Sequence, residues 1–507
     1  MQILDENFLE LFDTRIQNHD NHVGGDITPD CVSTLPRIWP TLMTIRLTVF
    51  LCVLSTMLCW QGQTIAQQPF KFEKQVDALV KPYLDQHKFQ AVSIGVVIEG
   101  QTWTGHFGQL ADNNPVPPNN ETLYEIGSIS KVFTSLLLAD AVENSKGDSD
   151  SVKLDQPIGT LLPGLDEVNP EVGQKITLKH LSNHVSGLPR MPDNITPADP
   201  NDPFAGYDRT LLNDCIKKVK PTTQPGEKHE YSNLGAGLLG DLLAARAKIG
   251  YETLLRDRIL TPLAMSETAT DVQGDRLSKL APPFNSGLLP EHSWHFDALA
   301  GAGAIRSNTN DMLKFIQANL NPPENEIGRA INLAWEKQLP AGAGQFSMGL
   351  GWMIAGDGNT RWHNGQTGGY QAMVLVSREL KAGVILLCNT AGSDTDALAE
   401  SVFQTVVGMK VAPRTFEESV EVAADVLKRL VGKYQLAPAV EIKVFRKGSR
   451  LMVQLTNQSA LQVFPDSDTV WNYHDVEAKL EFELPEKGPA TKVTLFQNGL
   501  TMPALRK

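Results

Sequence analysis

The octapeptide Tyr-Glu-Ile-Gly-Ser-Ile-Ser-Lys at positions 124–131 sets Ser128 and Lys131 three residues apart at the start of an apolar run. Phe133, Leu136, Leu137 and Ala141 recur at helical spacing, which predicts a helix over Val132 to Glu143. Residues three apart share a helix face, so Lys131 can lie against the Ser128 hydroxyl. A serine alcohol becomes a competent nucleophile only when a group takes its proton. A lysine does this once desolvation or a nearby cation lowers its pKa. The N–H groups of a helix start also favour the negative charge of a tetrahedral oxyanion. Ser-x-x-Lys alone arises by composition on the order of once or twice in a chain of this length, so other segments must decide.

Two segments answer to it. Pro225-Gly-Glu-Lys-His-Glu-Tyr-Ser-Asn-Leu-Gly235 places Tyr231 and Asn233 just before an apolar helical run, and of the eight tyrosines only Tyr231 is followed by x-Asn. A tyrosine facing Lys131 can relay protons, as base for Ser128 while ionised and then as acid for the leaving group. Asn233 offers a donor and an acceptor to a substrate amide. The second segment, Arg361-Trp-His-Asn-Gly-Gln-Thr-Gly-Gly-Tyr370, is glycine-rich and precedes a strand. Its glycines allow another backbone or a ligand to come close. His363 is a candidate for proton transfer or for holding an anionic group, and the N–H near Gln366 for completing an oxyanion hole with that of Ser128.

Ser-x-x-Lys, Tyr-x-Asn and His-x-Gly in this order resemble the serine β-lactamases and penicillin-recognising D-peptidases, specifically the class C branch; a related motif set is a known signature of such enzymes. Further segments carry the resemblance: His184-Val-Ser-Gly-Leu-Pro189, Pro225-Gly226, Ala302-Gly-Ala-Ile-Arg-Ser307 with Asp311 to Phe315, and Gly349-Leu-Gly-Trp352. The likeness spans about residues 75 to 408. It implies Ser128 as acylated nucleophile, Lys131 as its proton partner and Tyr231 as acid/base. It further implies Asn233, His363, Asn364, Gly365, Gln366 and Asn389 as substrate contacts. The resemblance has one departure: His363-Asn364-Gly365 stands where class C β-lactamases usually carry Lys-Thr-Gly. Histidine there is more typical of D-peptidases and esterases of the same fold, and it lacks lysine's fixed charge.

The rest of the chain supplies the frame. Length points to two or three units, and a formal net charge of −13 argues against a nucleic-acid partner. Alternation at Ala91–Glu99 and Thr102–Gly108 around Gly100 reads as a hairpin. Tyr370–Ser377 and Gly383–Asn389 read as a second strand pair, followed by a helix over Asp394–Val407. Helical runs such as Leu211–Lys220, Leu238–Ala247 and Asn310–Ala318 lie between the two pairs. The expected fold is therefore α+β, with an antiparallel sheet joining both ends of the segment, flanking helices and a helical subdomain, as in the β-lactamase/transpeptidase-like fold. A helix over Glu417–Leu430 leads to an expected small all-β module with strands near Glu441–Phe445, Leu451–Leu455, Lys479–Leu484 and Lys492–Phe496.

At the other end, Leu47 to Trp60 is a run of 14 uncharged, mostly apolar residues preceded by Arg46. It is too short for a comfortable membrane span and has the parts of a secretory signal peptide. The expected organisation is an overextended prefix at 1–42, a signal peptide at 43–66, a hydrolase domain at 67–412, and a linker helix with a β domain at 413–507. The mature chain would be periplasmic or secreted, with no stable membrane span.

Other motifs are weaker. Gly235-Ala-Gly237-Leu-Leu-Gly240 matches a dinucleotide fingerprint but follows loop chemistry instead of a strand, so close helix packing explains its glycines better. His180 and His184 stand four apart without a third ligand pattern, and His184 reads as a loop anchor at the substrate rim. No metal or organic cofactor is implied. The expected activity is β-lactam amide hydrolysis through an acyl-enzyme. D-alanyl-D-alanine carboxypeptidase, D-aminopeptidase or esterase chemistry on a D-amino-acid peptide or ester is the alternative, and a non-turnover penicillin-binding receptor is the second.

Overall fold

A computed structural model describes residues 70–507, except 114, 148, 340–346, 417–419, 421, 449, 457, 459, 474 and 475. The expected prefix and signal peptide, with Cys31, Cys52 and Cys59, lie outside the described residues. Lys74–Lys507 form one compact unit.

Helix α1 (Glu73–Asp85) leads into a hairpin of β1 (Ala91–Ile98) and β2 (Gln101–Gly108), in register from Ala91 opposite Gly108 to Ile98 opposite Gln101. The chain rejoins this sheet some 240 residues later through β3 (Ser347–Met348), β4 (Met353–Ile354), β5 (Thr360–Gln366), β6 (Gln371–Ser377) and β7 (Ala382–Cys388). The sheet is antiparallel, ordered β2-β1-β7-β6-β5-β4-β3, so the first and last segments meet at its centre. β1, β6 and β7 are buried on both faces, which explains their near-continuous apolar sequences. Helices α4 (Thr309–Leu320) and α6 (Thr395–Val406) pack on the sheet.

Between the hairpin and β3 lies the helical part. Its central helix α2 (Ser130–Asn144) is buried on every side from Ser130 to Asp140, as its mostly apolar sequence dictates. Helix α3 (Asn233–Ala247) starts under a Ser232 cap whose hydroxyl accepts from Gly235 N at 2.9 Å. The glycine run does pack closely: a Cβ on Gly237 would stand 2.5 Å from the Leu299 side chain, and one on Gly240 would stand 3.1 Å from Gly301 Cα. Helix α5 (Glu326–Trp335) packs against α2.

The C-terminal region is a closed eight-stranded barrel, β8 to β15, spanning Gly432–Ala437, Val440–Lys447, Arg450–Leu455, Leu461–Pro465, Val470–Asn472, Ala478–Glu483, Lys492–Gln497 and Leu500–Arg506. Pairing of Tyr434 with Arg506 closes it, removing the exposed edges an open sheet would have. Leu427 and Leu430 of the short helix α7 (Ala424–Leu430) join its core of Tyr434, Trp471, Leu480, Phe482 and Val493. The expected helix from Glu417 is thus shortened: Val420 is not helical and its N–H donates to Pro465 O at 3.2 Å.

The barrel rests on the part that precedes it. A Cβ on Gly287 would meet Met452 Cε at 2.5 Å and Ala460 O at 3.0 Å. Lys447 lies 5.7 Å from the Phe284 ring and 3.9 Å from Asp112. Cys215 and Cys388 are buried and free.

Candidate active site

Ser128 lies in a single 3-10 turn, Gly127–Ile129, that runs directly into α2. Gly127 makes the turn possible: its φ is +52°, and a Cβ there would stand 2.6 Å from Gln366 N. Behind the turn, Tyr124 and Glu125 pair with Ser307 and Arg306 in a two-stranded ladder. The Glu125 carboxylate and Arg306 guanidinium meet at 2.9 Å, both almost wholly buried. Trp294 N–H also donates to Glu125, at 3.1 Å. These partners anchor the residues just before Ser128.

Lys131 is 2 % exposed, and its Nζ lies 2.9 Å from Ser128 Oγ and 2.6 Å from the carbonyl of Ala302. Burial, reinforced by the positive charge of Arg190, holds its pKa well below the ordinary lysine range. Tyr231 is brought alongside from the loop before α3, with its ring centroid 4.9 Å from Lys131 Nζ. Burial pushes its phenol up to about 12, partly offset by Ser128 at its hydroxyl and by Arg190. Tyr231 is therefore protonated at neutral pH. Burial thus disfavours the ionised tyrosine expected as base, while it favours the neutral amine of Lys131.

His184 anchors the Tyr231 loop as expected. Its carbonyl accepts from Glu230 N at 2.7 Å, its Nδ1 accepts from Ser232 N at 3.2 Å, and its ring lies 4.4 Å from that of Tyr231. Burial and the charge of Lys131 keep it neutral. His180, four residues before, accepts from Thr177 N in a helix capping box.

Strand β5 forms the facing wall. Its approach is close: a Cβ on Gly365 would stand 2.0 Å from Ile126 O and 2.8 Å from Ser128 N. Gln366 is exposed, with its backbone against Gly127. His363 is buried, its Nδ1 lying 2.5 Å from Asn364 O. Burial first, then Lys131, lower its pKa to about 3. A neutral ring cannot hold an anion by charge, which corrects that part of the expectation. Asn364 takes another direction: its Nδ2 donates to Asp396 of α6 at 2.6 Å, tying the strand to the helix. Asn389 is corrected as a substrate contact, because it is wholly buried and both ends of its amide are spent. Its Oδ1 accepts from Ala91 N at 2.9 Å and its Nδ2 donates to Leu110 O and Pro282 O at 3.1 and 2.8 Å. Asn233, at the first turn of α3, is half-buried, with Nδ2 3.4 Å from Met191 Sδ.

The structure thus brings together Ser128, Lys131, Tyr231, His363, Gly365 and the Gln366 backbone. Sequence reasoning missed the Ala302 carbonyl, the Glu125–Arg306 pair and Arg190. The first two lie in segments singled out above, but only the fold shows their contacts. Arg190 directly follows the His184–Pro189 segment, and its charge was the available signal.

Comparison with known proteins agrees with this geometry. The beta-lactamase family model matches residues 76–407. A beta-lactamase of Escherichia coli (strain K12) is 26% identical over 379 residues, covering 66% of this chain and 94% of the relative. Penicillin-binding protein 4* of Bacillus subtilis (strain 168) is 23% identical over 466 residues, covering 85% of this chain and 98% of that protein. In fold, a solved class C beta-lactamase superposes with a TM-score of 0.59 at 22% identity, over 67% of this chain and 98% of its own. With a serine and a desolvated lysine set as such chemistry requires, and a family match over most of its length, this chain belongs to the beta-lactamase family.

Proposed function

We propose that this protein is an exported serine hydrolase that forms an acyl-enzyme on Ser128, with β-lactam amide opening as its leading reaction. The observation that carries this is the 2.9 Å approach of a buried, charge-disfavoured Lys131 amine to Ser128 Oγ. The neutral amine takes the hydroxyl proton as Ser128 Oγ bonds to the acyl carbon. The N–H groups of Ser128 and Gln366 receive the oxyanion. As the acyl–nitrogen bond breaks, the Tyr231 phenol gives its proton to the departing nitrogen and regains one from Lys131. Water then attacks the ester and releases the acid, returning Ser128 to its hydroxyl form. No step needs a cofactor.

The neutral, buried His363 favours a second reading, in which D-alanyl peptides or esters are turned over as well or better. Fluorescent penicillin labelling of wild type and Ser128→Ala, followed by a chase and a panel of nitrocefin, D-alanyl peptides and short esters, separates these. Ser128-dependent labelling with rapid loss and nitrocefin turnover supports the β-lactam reading. Turnover of peptides or esters alone supports the second, and a stable adduct on wild type indicates a receptor. No Ser128-dependent labelling or hydrolysis at all refutes the proposal. Export rests on the apolar run within 43–66; N-terminal sequencing of protein from outside the cytoplasm tests it, and a chain retaining this segment contradicts it.

A further inference from the structure

The candidate site has little fixed charge of its own. Lys131 is buried and disfavours its ammonium form, while His184 and His363 are buried and neutral. Glu125, the carboxylate just behind the nucleophile, is bonded to Arg306. The strand that would present a lysine in class C β-lactamases presents His363 instead. An acyl donor with an anionic group therefore finds no free cation on β5, whose Arg361 is buried and donates to the carbonyls of Gly358, Asn359 and Trp335.

One cation does stand beside the proton donor. Arg190 is exposed, and its Cζ lies 5.1 Å from the centroid of the Tyr231 ring. Its backbone is fixed, because its carbonyl accepts from Asn233 N at 2.9 Å and Leu234 N at 3.3 Å, the first amides of α3. Its guanidinium makes no hydrogen bond or ion pair with another described residue. Seven other arginines, Arg209, Arg246, Arg256, Arg258, Arg276, Arg306 and Arg414, each meet a carboxylate. A guanidinium with a fixed root, an aromatic face beneath it and its donors unspent is poised for a planar anion.

The position also says which half of the donor carries that anion. Tyr231 protonates the departing atom, so a group resting above Tyr231 meets the leaving half and not the acyl half. We infer that Arg190 recognises a carboxylate on the leaving group of the acyl donor, supplying from the helical side the charge that β5 does not present at His363. This makes Arg190 a specificity-determining residue, one that favours acyl donors whose leaving half bears a free carboxylate close to the scissile bond. The inference rests on the acyl-enzyme reading above.

The test uses a matched pair of depsipeptides, an N-acyl-D-alanyl ester of D-lactate and the corresponding ester of D-lactamide. The two share the acyl half and the scissile bond and differ only in the leaving-group carboxylate. Each is assayed with wild type, Arg190→Gln, Arg190→Lys and Ser128→Ala, at the pH plateau of each protein. Wild type should prefer the carboxylate donor. In Arg190→Gln the ratio of kcat/KM for acid over amide should fall about ten- to hundred-fold, chiefly through KM. Arg190→Lys should recover part of the ratio, since charge returns without the planar fork. A ratio unchanged in Arg190→Gln, or a wild type with no preference, overturns the inference while leaving the acyl-enzyme reading intact. Failure of both donors on a protein that penicillin labels at Ser128 overturns the inference alone, whereas failure of both donors with no Ser128-dependent labelling overturns the reading of the site itself, and this inference with it.

Discussion

Gly365 and Ser128 come from opposite ends of the hydrolase part, yet a Cβ on Gly365 would stand 2.8 Å from Ser128 N and 2.0 Å from Ile126 O. The glycine is thus demanded by space, because β5 lies against the backbone of Ile126 and Ser128. Gly365→Ala should force the strand and the turn apart, lowering kcat/KM by about 100-fold, as misplacement by ~1 Å can do. Gly250→Ala, where nothing lies within 4 Å of an added Cβ, is the control. Wild-type kinetics in Gly365→Ala would show that this contact does not set the site.

The lysine predicts a pH profile. As base, Lys131 must be unprotonated, so kcat/KM rises with pH through its pKa, and burial places that limb well below the ordinary value of about 10.4. Lys131→Arg cannot lose its proton at working pH and should fall by about 1,000-fold or more at every pH. An acid limb near the ordinary lysine value, or an active Lys131→Arg, would exclude the role.

Tyr231→Phe keeps the ring against His184 and removes only the hydroxyl. Acylation should slow by about 100-fold or more, with the melting temperature nearly unchanged. Donors with good leaving groups, which need less protonation, should be affected less. A uniform loss across leaving groups would argue that the phenol positions and does not donate.

Two buried histidines make the fold acid-sensitive. His363 titrates near 3 in the folded protein and near 6.5 when unfolded, so between those values only the unfolded chain takes up the proton. Stability is therefore lost as pH falls through this window, by about 1.4 kcal/mol per pH unit for each such proton. His184 acts in the same direction. Glu400, raised to about 7 by burial and by Asp396, titrates in the opposite sense over the upper part of the range. The comparison is therefore wild type against His363→Gln in denaturant melts from pH 7 to pH 4. The variant's dependence should be shallower by about one proton, and equal slopes would contradict a neutral buried ring.

Asp396 accepts from Asn364 Nδ2 at 2.6 Å and from Gln371 Nε2 at 3.1 Å. Asp396→Ala strands both amides and should cost about 1–3 kcal/mol of stability. Because the tie ends on β5 between His363 and Gly365, the variant should also show a raised KM. A stability loss without any kinetic change would mean that the strand holds its place without α6.

What was legible in the sequence was set by local spacing. Ser128 and Lys131 lie within one turn, and the glycines around 365–369 announced a close approach. The hairpin was visible from alternation around Gly100, and the β6–β7 pair as two short, mostly apolar runs. Less legible was which face of a strand each residue occupies in the fold. Asn364 belongs to the same motif as His363 and Gly365 but binds α6, and Asn389 is consumed by three backbone partners over 100 residues away in sequence. Charge states were hidden too, since the neutrality of His363 depends on burial by distant segments. In the barrel, Val470–Asn472 is too short for alternation, and Pro503 sits inside the last strand, opposite Thr494, where a proline argues against a strand.

The seating of Met452 and Ala460 on Gly287 has a consequence for how this chain can be divided. The loop they press upon continues to Pro283 and Phe284, which cover Gly369, and to Trp294, which covers Gly368. Both glycines lie at the end of the strand that faces Ser128. A fragment cut after residue 412 would keep every residue that handles a proton and lose the outer support of the wall they work against. Removing the barrel should therefore loosen this wall from outside, so that substrate fit is disturbed while Ser128, Lys131 and Tyr231 keep their places.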